Sequence, residues 1–300
     1  MMKNLEQNYI SIVMVIHEIQ KDIFSKIEKI KIELEKNFLN FEFVIVDNTL
    51  KEFDLETLNK SQVKYTYVQL PIKHKMQQAL NAGIAIAIGD YIIEIEDISS
   101  DIDYTQIIEL YRKSQEGYDF VFLTPKKSKI TSKLFYRIIN RYFINIFHEN
   151  IGSSVMTLSS RRGQNKVSEV GRKVINHNVA YVLSGLKSAS IPVDICYKNK
   201  RTISENILLM LDTLIYYTDA IVIFTQRIAF IFLFIFFLGI IYSLVSNFMK
   251  SYILLFLLSS LGFFGIFSIL SIILRYLHHT LLNSIGVKDY IFRKIEKNRE

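Results

Sequence analysis

The sequence predicts an α/β domain built on a mainly parallel sheet with flanking helices, followed near the C-terminus by a two-helix transmembrane hairpin. Three observations carry that reading. Short apolar runs alternate with amphipathic helical stripes through residues 1–200. Charge is spread through residues 1–205, almost absent from Ile228 to Leu274, and dense again after Gly286. Inside the charge-poor stretch lie two uncharged runs, Ile228–Val245 and Tyr252–Leu274, separated only by Ser246–Ser251.

The elements follow in order. Ile10–Ile16 is a short apolar run and reads as a buried strand. Lys21–Lys36 places Ile23, Ile27, Ile30 and Leu34 on one helical stripe. Phe41–Val46 is the next strand, and Val63–Leu70 alternates apolar and polar residues as a half-buried strand does. Lys75–Ile88 is an Ala-rich helix, Tyr91–Ile95 a strand, Tyr104–Ser114 a helix and Phe120–Leu123 a strand. Lys126–Lys133 reads as a basic linker. Leu134–Phe147 reads as an amphipathic helix whose apolar face packs on the core or lies on a membrane. Alternating strands and helices imply a largely parallel sheet covered on both faces.

Composition narrows the function classes. The net charge is +7, but the basic residues are scattered, with no basic-aromatic stripe, so no nucleic-acid partner is expected. A basic protein lying against anionic lipid explains the charge. The one cysteine, Cys196, cannot close an intramolecular disulfide and reads as a packed strand residue. The six histidines do not cluster at metal-ligand spacing, and the first apolar run is too short for a signal peptide.

The two uncharged runs are each close to the ~20 residues that cross a bilayer core. A turn this short makes them antiparallel, so both flanks share one side. Arg227, Arg275, Lys288, Arg293, Lys294, Lys297 and Arg299 mark that side as cytoplasmic by the positive-inside rule. The expected organisation is a cytoplasmic domain over residues 1–200 and a juxtamembrane interfacial helix over 201–227. The hairpin follows over 228–274 (spans 228–245 and 252–274), then a basic cytoplasmic tail over 275–300. The expected location is the cytoplasmic (inner) membrane, multi-pass, with both termini cytoplasmic.

In parallel sheets, ligands bind beyond the carboxyl ends of the strands. Candidate site residues are therefore His17 and Glu18, Asp47 and Asn48, and Glu96 and Asp97. Alternation along Tyr91–Ile95 puts Glu94 and Glu96 on one face and Asp97 on the other. A solvated acidic loop is the competing reading for these acids.

Several motifs at these positions resemble the family-2 glycosyltransferases of GT-A fold. The chain looks most like the membrane-anchored branch, similar to dolichol-phosphate mannose synthases, that loads sugars onto polyisoprenyl phosphates. Asn81-Ala82-Gly83 followed by Gly89-Asp90-Tyr91 is the most specific match, with Lys75 and Ala79-Leu80 upstream. Val46-Asp47-Asn48 matches the family's Val-Asp-Asp with one charge lost. Glu96 and Ile98 stand where the Asp-x-Asp pair is usual. Glu18 stands at the family's first turn in place of Asn. Asn150-Ile151-Gly152-Ser153 lacks the acids of the later catalytic segment, and Lys200-Arg201-Thr202-Ile203-Ser204 partly matches the segment before the membrane.

The resemblance implies an inverting, hexosyltransferase-type transfer. A sugar would move from a nucleotide sugar to a polyisoprenyl phosphate, or a related envelope-glycan acceptor, at the cytoplasmic face. It implies that Asp47 and Asn48 bind the nucleoside and that Glu18, Lys75 and Ser204 line the substrate site. Glu96 and Asp97 would hold Mg²⁺ or Mn²⁺, and Asp97 and Arg201 would carry the catalytic electrostatics. Homo-oligomers are compatible with it. The rival reading is a GT-A-like membrane scaffold that binds within a glycan-assembly pathway without catalysis.

Overall fold

The computed structural model describes residues 5–19, 22–51, 63–96, 102–127, 130–142, 151–170, 174–194, 203–218, 220–245, 251–284 and 290–298, with Phe53, Glu56, Leu58 and Ile98 between them. The chain forms two compact units. One is Met1–Leu209 together with Lys288–Glu300, and the other is Met210–Val287.

In the first unit the order is β1 (Ile10–Ile16), α1 (Ile23–Glu35), β2 (Phe41–Asp47), β3 (Tyr65–Gln69), α2 (Met76–Ile84), β4 (Tyr91–Ile95), α3 (Gln106–Gln115) and β5 (Phe120–Pro125). Then come α4 (Ile130–Tyr142), β6 (Met156–Ser160), α5 (Arg161–Val170), α6 (His177–Leu183), β7 (Ser188–Val193) and the start of α7 (Ile203–Tyr217). The second unit holds α8 (Ala220–Val245) and α9 (Ser251–Ser284), and β8 (Lys294–Asn298) closes the first.

The sheet runs β7-β5-β6-β4-β1-β2-β3-β8. Four of its seven ladders are parallel and three antiparallel, so the sheet is mixed rather than mainly parallel. The departure has a local cause. β6 runs back between β4 and β5 as an antiparallel insert. β8, in the segment expected to be a basic tail, pairs antiparallel with the edge of β3. A charged strand is suited to a sheet edge, where it discourages pairing with other chains.

Two cores sandwich the sheet. Ile12, Met14, Ile16, Phe43, Ile45, Ile93 and Ile95 pack under α1 and α3. Val13, Val15, Val44, Val46, Val68 and Ile92 pack under α2, around Ala79, Leu80 and Ala82. The most specific sequence motifs find their physical reason in this packing. A Cβ on Gly83 would stand 2.5 Å from Val13 Cγ1 and 2.8 Å from Val46 Cγ2, so only glycine lets α2 settle on the sheet. A Cβ on Gly89 would meet the Ser11 backbone nitrogen at 2.7 Å. The Gly89 N–H donates to Ser11 Oγ at 2.8 Å, and Asp90 accepts from the Tyr9 N–H at 2.8 Å. The Gly-Asp-Tyr turn thus fastens the start of β4 to the start of β1.

The expected 126–133 linker ends earlier than its pattern suggests, because α4 begins at Ile130. The continuation of that helix to Phe147 lies outside the described residues, as do Cys196 and the turn between the two apolar helices. In the second unit, Leu254–Thr280 is one stretch long and apolar enough to cross a membrane, and only 6% of its window is buried. Gly265 lies against the Phe232 ring, where a Cβ would come within 2.8 Å, so α8 and α9 pack closely. Arg275 forms an ion pair with the buried Asp212 of α7.

Candidate functional site

Parallel register brings the strand ends together. Ile16 lies opposite Asp47, Asp47 opposite Gln69, and Met14 opposite Ile95. The residues that follow β1, β2 and β4 therefore share one mouth, as in other open α/β sheets.

At the β2 end of this mouth, Asp47 is wholly buried. Its Oδ2 accepts from the Tyr67 hydroxyl at 2.5 Å, and its Oδ1 accepts from the Thr49 N–H at 2.8 Å and the Thr49 hydroxyl at 2.7 Å. Burial first, and then the bond to Asp47 and its charge, push the Tyr67 hydroxyl well above its ordinary value. Asn48 is buried too. Its amide donates to the His74 carbonyl at 2.8 Å and contacts His17 Nδ1 at 2.9 Å, while its Oδ1 accepts from the His74 N–H at 2.8 Å. This pair cross-links three loops of the mouth. Glu18 is exposed just beyond β1. Lys75 is exposed at the N-terminus of α2, where the Gln78 side chain accepts from its N–H at 3.2 Å.

At the β4 end the sheet face under α2 turns polar. Glu94 and Glu96 follow Ile92 on that face. Glu96 is half-buried and accepts from Gln77 Nε2 at 3.1 Å. Glu94 is buried and pairs with His177 Nδ1 at 2.6 Å. The other ring nitrogen of His177 faces Asn81 Oδ1 at 2.7 Å, and the Asn81 amide is oriented by donating to the Val174 carbonyl at 3.2 Å. Both ring nitrogens thus face side-chain oxygens, one of them a carboxylate oxygen. The Tyr181 hydroxyl donates to the second Glu94 oxygen and accepts from Gln164 Nε2 at 2.8 Å. Burial, followed by Glu94's charge, raises Tyr181 far above its usual range. The His177 N–H donates to Gln77 Oε1 at 2.9 Å. One glutamine therefore links the buried ion pair to Glu96.

The Ile151–Ser154 segment sits beside this network. Ser154 donates to Asn178 Oδ1 at 3.1 Å, and Asn178 donates to the Gly152 carbonyl at 3.0 Å. Hydroxyls and amides thus tie this segment to α6.

The structure thus brings Asp47, Asn48, Glu18, Lys75 and Glu96 to one mouth. Ser204 is exposed in the first turn of α7. Asp97 and Arg201 lie outside the described residues. Glu96 offers the hard carboxylate oxygen that Mg²⁺ or Mn²⁺ takes, whereas Glu94 is committed to His177 and Tyr181. Among the described residues, no group of three or more His, Cys, Asp or Glu is placed to hold a metal ion. Sequence reasoning missed His177, Tyr181, Gln77 and Asn81 as a network. One signal was available: Glu94 interrupts an apolar strand, and a buried carboxylate requires a partner.

No protein-family model matches the chain, and no curated protein matches it in sequence. Solved structures do resemble it. A mannosyltransferase from Pyrobaculum calidifontis, in complex with GDP-Man and Mn²⁺, aligns with TM-score 0.52 and 13% identity over 71% of this chain and 63% of its own. The chain thus spans less than two thirds of that enzyme. Glucosyl-3-phosphoglycerate synthase from Mycobacterium tuberculosis, with Mn²⁺, UDP and phosphoglyceric acid, gives 0.53 and 15% over 69% of this chain and 78% of its own. Mannosyl-3-phosphoglycerate synthase from Rubrobacter xylanophilus gives 0.52 and 11% over 69% and 72%. This chain shares the GT-A fold of those glycosyltransferases.

Proposed function

We propose that this chain is a membrane-anchored glycosyltransferase moving a sugar from a nucleotide sugar to a polyisoprenyl phosphate, or a related envelope-glycan acceptor, at the cytoplasmic face. The observation that carries the proposal is Glu96, a half-buried carboxylate at the mouth of the central strand of a GT-A sheet, oriented by Gln77. Glu96, with Asp97 next to it in the chain, would hold Mg²⁺ or Mn²⁺, which when bound neutralises the charge of a nucleotide diphosphate. Lys75 adds positive charge from the N-terminus of α2, and Arg201 offers a planar fork for phosphate. Asp47 and Asn48 hold the loops against which the nucleoside rests, and Glu18 and Ser204 complete the substrate-binding set.

A phosphate monoester is a suitable acceptor because its second pKa is about 6, so it is already ionised near neutrality. Its oxygen attacks the anomeric carbon as the bond to the nucleoside diphosphate breaks. The diphosphate leaves with the electron pair, and the sugar's configuration inverts. No general base is needed to activate the nucleophile, which accords with the loss of acids at Asn150–Ser153.

Anchoring is supported by chain connectivity. The unit that precedes α8 and α9 also contains β8, which follows them. A chain that crossed a bilayer once could not return a strand to that sheet, so the connectivity favours an even number of crossings. The two helices then span as a hairpin, with both flanks on the positively charged, cytoplasmic side.

The test is transfer by the purified full chain in vesicles, with radiolabelled uridine and guanosine nucleotide sugars and an undecaprenyl phosphate acceptor. The expected result is label in the lipid phase that requires Mn²⁺ or Mg²⁺. No transfer with any donor, together with no nucleotide-dependent thermal shift, selects the scaffold reading instead. The complete engagement of Asp47 by its own protein is the observation that favours that reading.

A further inference from the structure

We infer that the outer face of α4 is a second membrane-docking surface, separate from the apolar helices, and that its occupant is a bilayer with anionic headgroups. The inference rests on the anchoring reading above, which puts the chain at a membrane.

The helix has two unlike faces. Phe135 and Ile139 are buried against the domain. Flanking that buried stripe, Ile130, Leu134, Ile138 and Tyr142 recur every fourth residue and are 85%, 52%, 37% and 39% exposed. Residues four apart lie one above another on a helix, so these form a continuous apolar row. A basic row runs beside it: Lys133, Arg137 and Arg141 also recur every fourth residue, and all three are exposed. From Lys126 to Tyr142 the sequence carries no acidic residue. Among the described residues, none of these three cations forms an ion pair.

Helix α1 shows what an ordinary solvated helix of this protein looks like. There two of the three lysines are matched, Lys26 with Asp22 and Lys31 with Glu28 and Glu35, and Lys36 just past the helix pairs with Glu33; only Lys29 has no ion pair among the described residues. Its exposed apolar residue, Ile32, stands alone. Helix α4 differs: among the described residues Lys133, Arg137 and Arg141 form no ion pair, and its exposed apolar residues are aligned. That composition suits the boundary between headgroups and acyl chains, where apolar side chains enter and Lys and Arg stems extend toward anionic lipid.

Docking there has a route to the site. Asn140 of α4 accepts from the Ile151 N–H at 3.0 Å and donates to the Ile151 carbonyl at 2.9 Å. Ile151 begins the segment that Asn178 binds beside His177. A bilayer held by α4 therefore bears on the loop next to the β4 mouth through one bidentate side chain.

The experiment uses the full chain with Cys196→Ser and a single fluorophore on Ile138→Cys, reconstituted in phosphatidylcholine vesicles with or without phosphatidylglycerol. Quenching by lipids carrying a spin label on the acyl chain is compared with two other sites. Phe264→Cys in α9 reports anchoring, and Ile32→Cys in α1 reports an exposed apolar site away from lipid. The expected result is quenching at 138 at least about threefold stronger than at 32 in the anionic vesicles. The triple change Lys133→Gln, Arg137→Gln, Arg141→Gln should bring it down to the level at 32 with the thermal melt unchanged.

Quenching at 264 with none at 138 overturns the docking surface and leaves anchoring intact. Absence of quenching at 264 overturns anchoring, and the docking surface then stands or falls on whether label 138 is quenched when vesicles are added. Disulfide cross-linking between two copies at 138, without lipid quenching, assigns the face to a protein contact and also overturns the inference.

Discussion

The mouths of β2 and β4 both end in acids that the GT-A pattern would assign to substrate, yet they are built differently. Asp47 is wholly buried and accepts three hydrogen bonds from Tyr67 and Thr49. Glu96 is half-buried and accepts from Gln77 Nε2 at 3.1 Å, with the buried Glu94–His177 pair behind it. A carboxylate already satisfied by its own protein holds structure. A carboxylate at the edge of water presents hard oxygen to whatever enters the mouth. The contrast predicts that substitutions at the two mouths fail in different ways: stability first at β2, activity first at Glu96.

The largest effect is expected at the ion pair behind Glu96. His177→Ala leaves the buried Glu94 without the ring nitrogen 2.6 Å from it, and leaving a buried charged group unsatisfied typically costs about 3 kcal/mol or more. Urea unfolding of the domain measures it. A cost near zero would mean that the pair contributes nothing to the β4 side.

Glu96→Ala is expected to lower transfer about 100-fold, or ~2.7 kcal/mol of barrier, while the urea midpoint stays close to the parent's. Equal losses of stability and transfer would erase the distinction between the two mouths. Tyr67→Phe removes a donor from a buried carboxylate and should cost about 1.5–3 kcal/mol in stability. Nucleotide binding by the folded fraction should change little. If nucleotide affinity falls while stability holds, Asp47 is a ligand group and not a loop anchor.

The smallest effect is in pH dependence. Tyr67 and Tyr181 are both raised in the folded protein, mainly by burial. Their neutral forms are stabilised by folding, so their contribution is complete below the unfolded value of about 10 and is lost as pH rises toward the folded values. Melting temperature should therefore fall above about pH 10, and Tyr181→Phe should flatten that decline. An unchanged slope would show that Tyr181 does not carry it.

Much of the fold was legible because it depends on local pattern. The bounds of β1 and β4 come directly from apolar runs. The motif glycines are equally readable, and their reason is steric: Gly83 and Gly89 sit where the sheet leaves no room for a Cβ. The strands that were missed lack such a pattern. Met156–Ser160 is short and carries Thr157, Ser159 and Ser160, and Lys294–Asn298 is charged. Each is a strand because a neighbouring edge is waiting to be paired, which is a non-local condition.

By itself, the chain's order of residues determined an α/β domain, a charge-free stretch after it, and which acids stand at strand ends. Periodicity and charge spacing act over a few residues, so they can be read along the chain. Only the tertiary structure decided which of those acids is spent. Glu94 meets His177 across 83 positions and Asp47 meets Tyr67 across 20. Whether a carboxylate is satisfied depends on what folding places against it, and no local pattern records that.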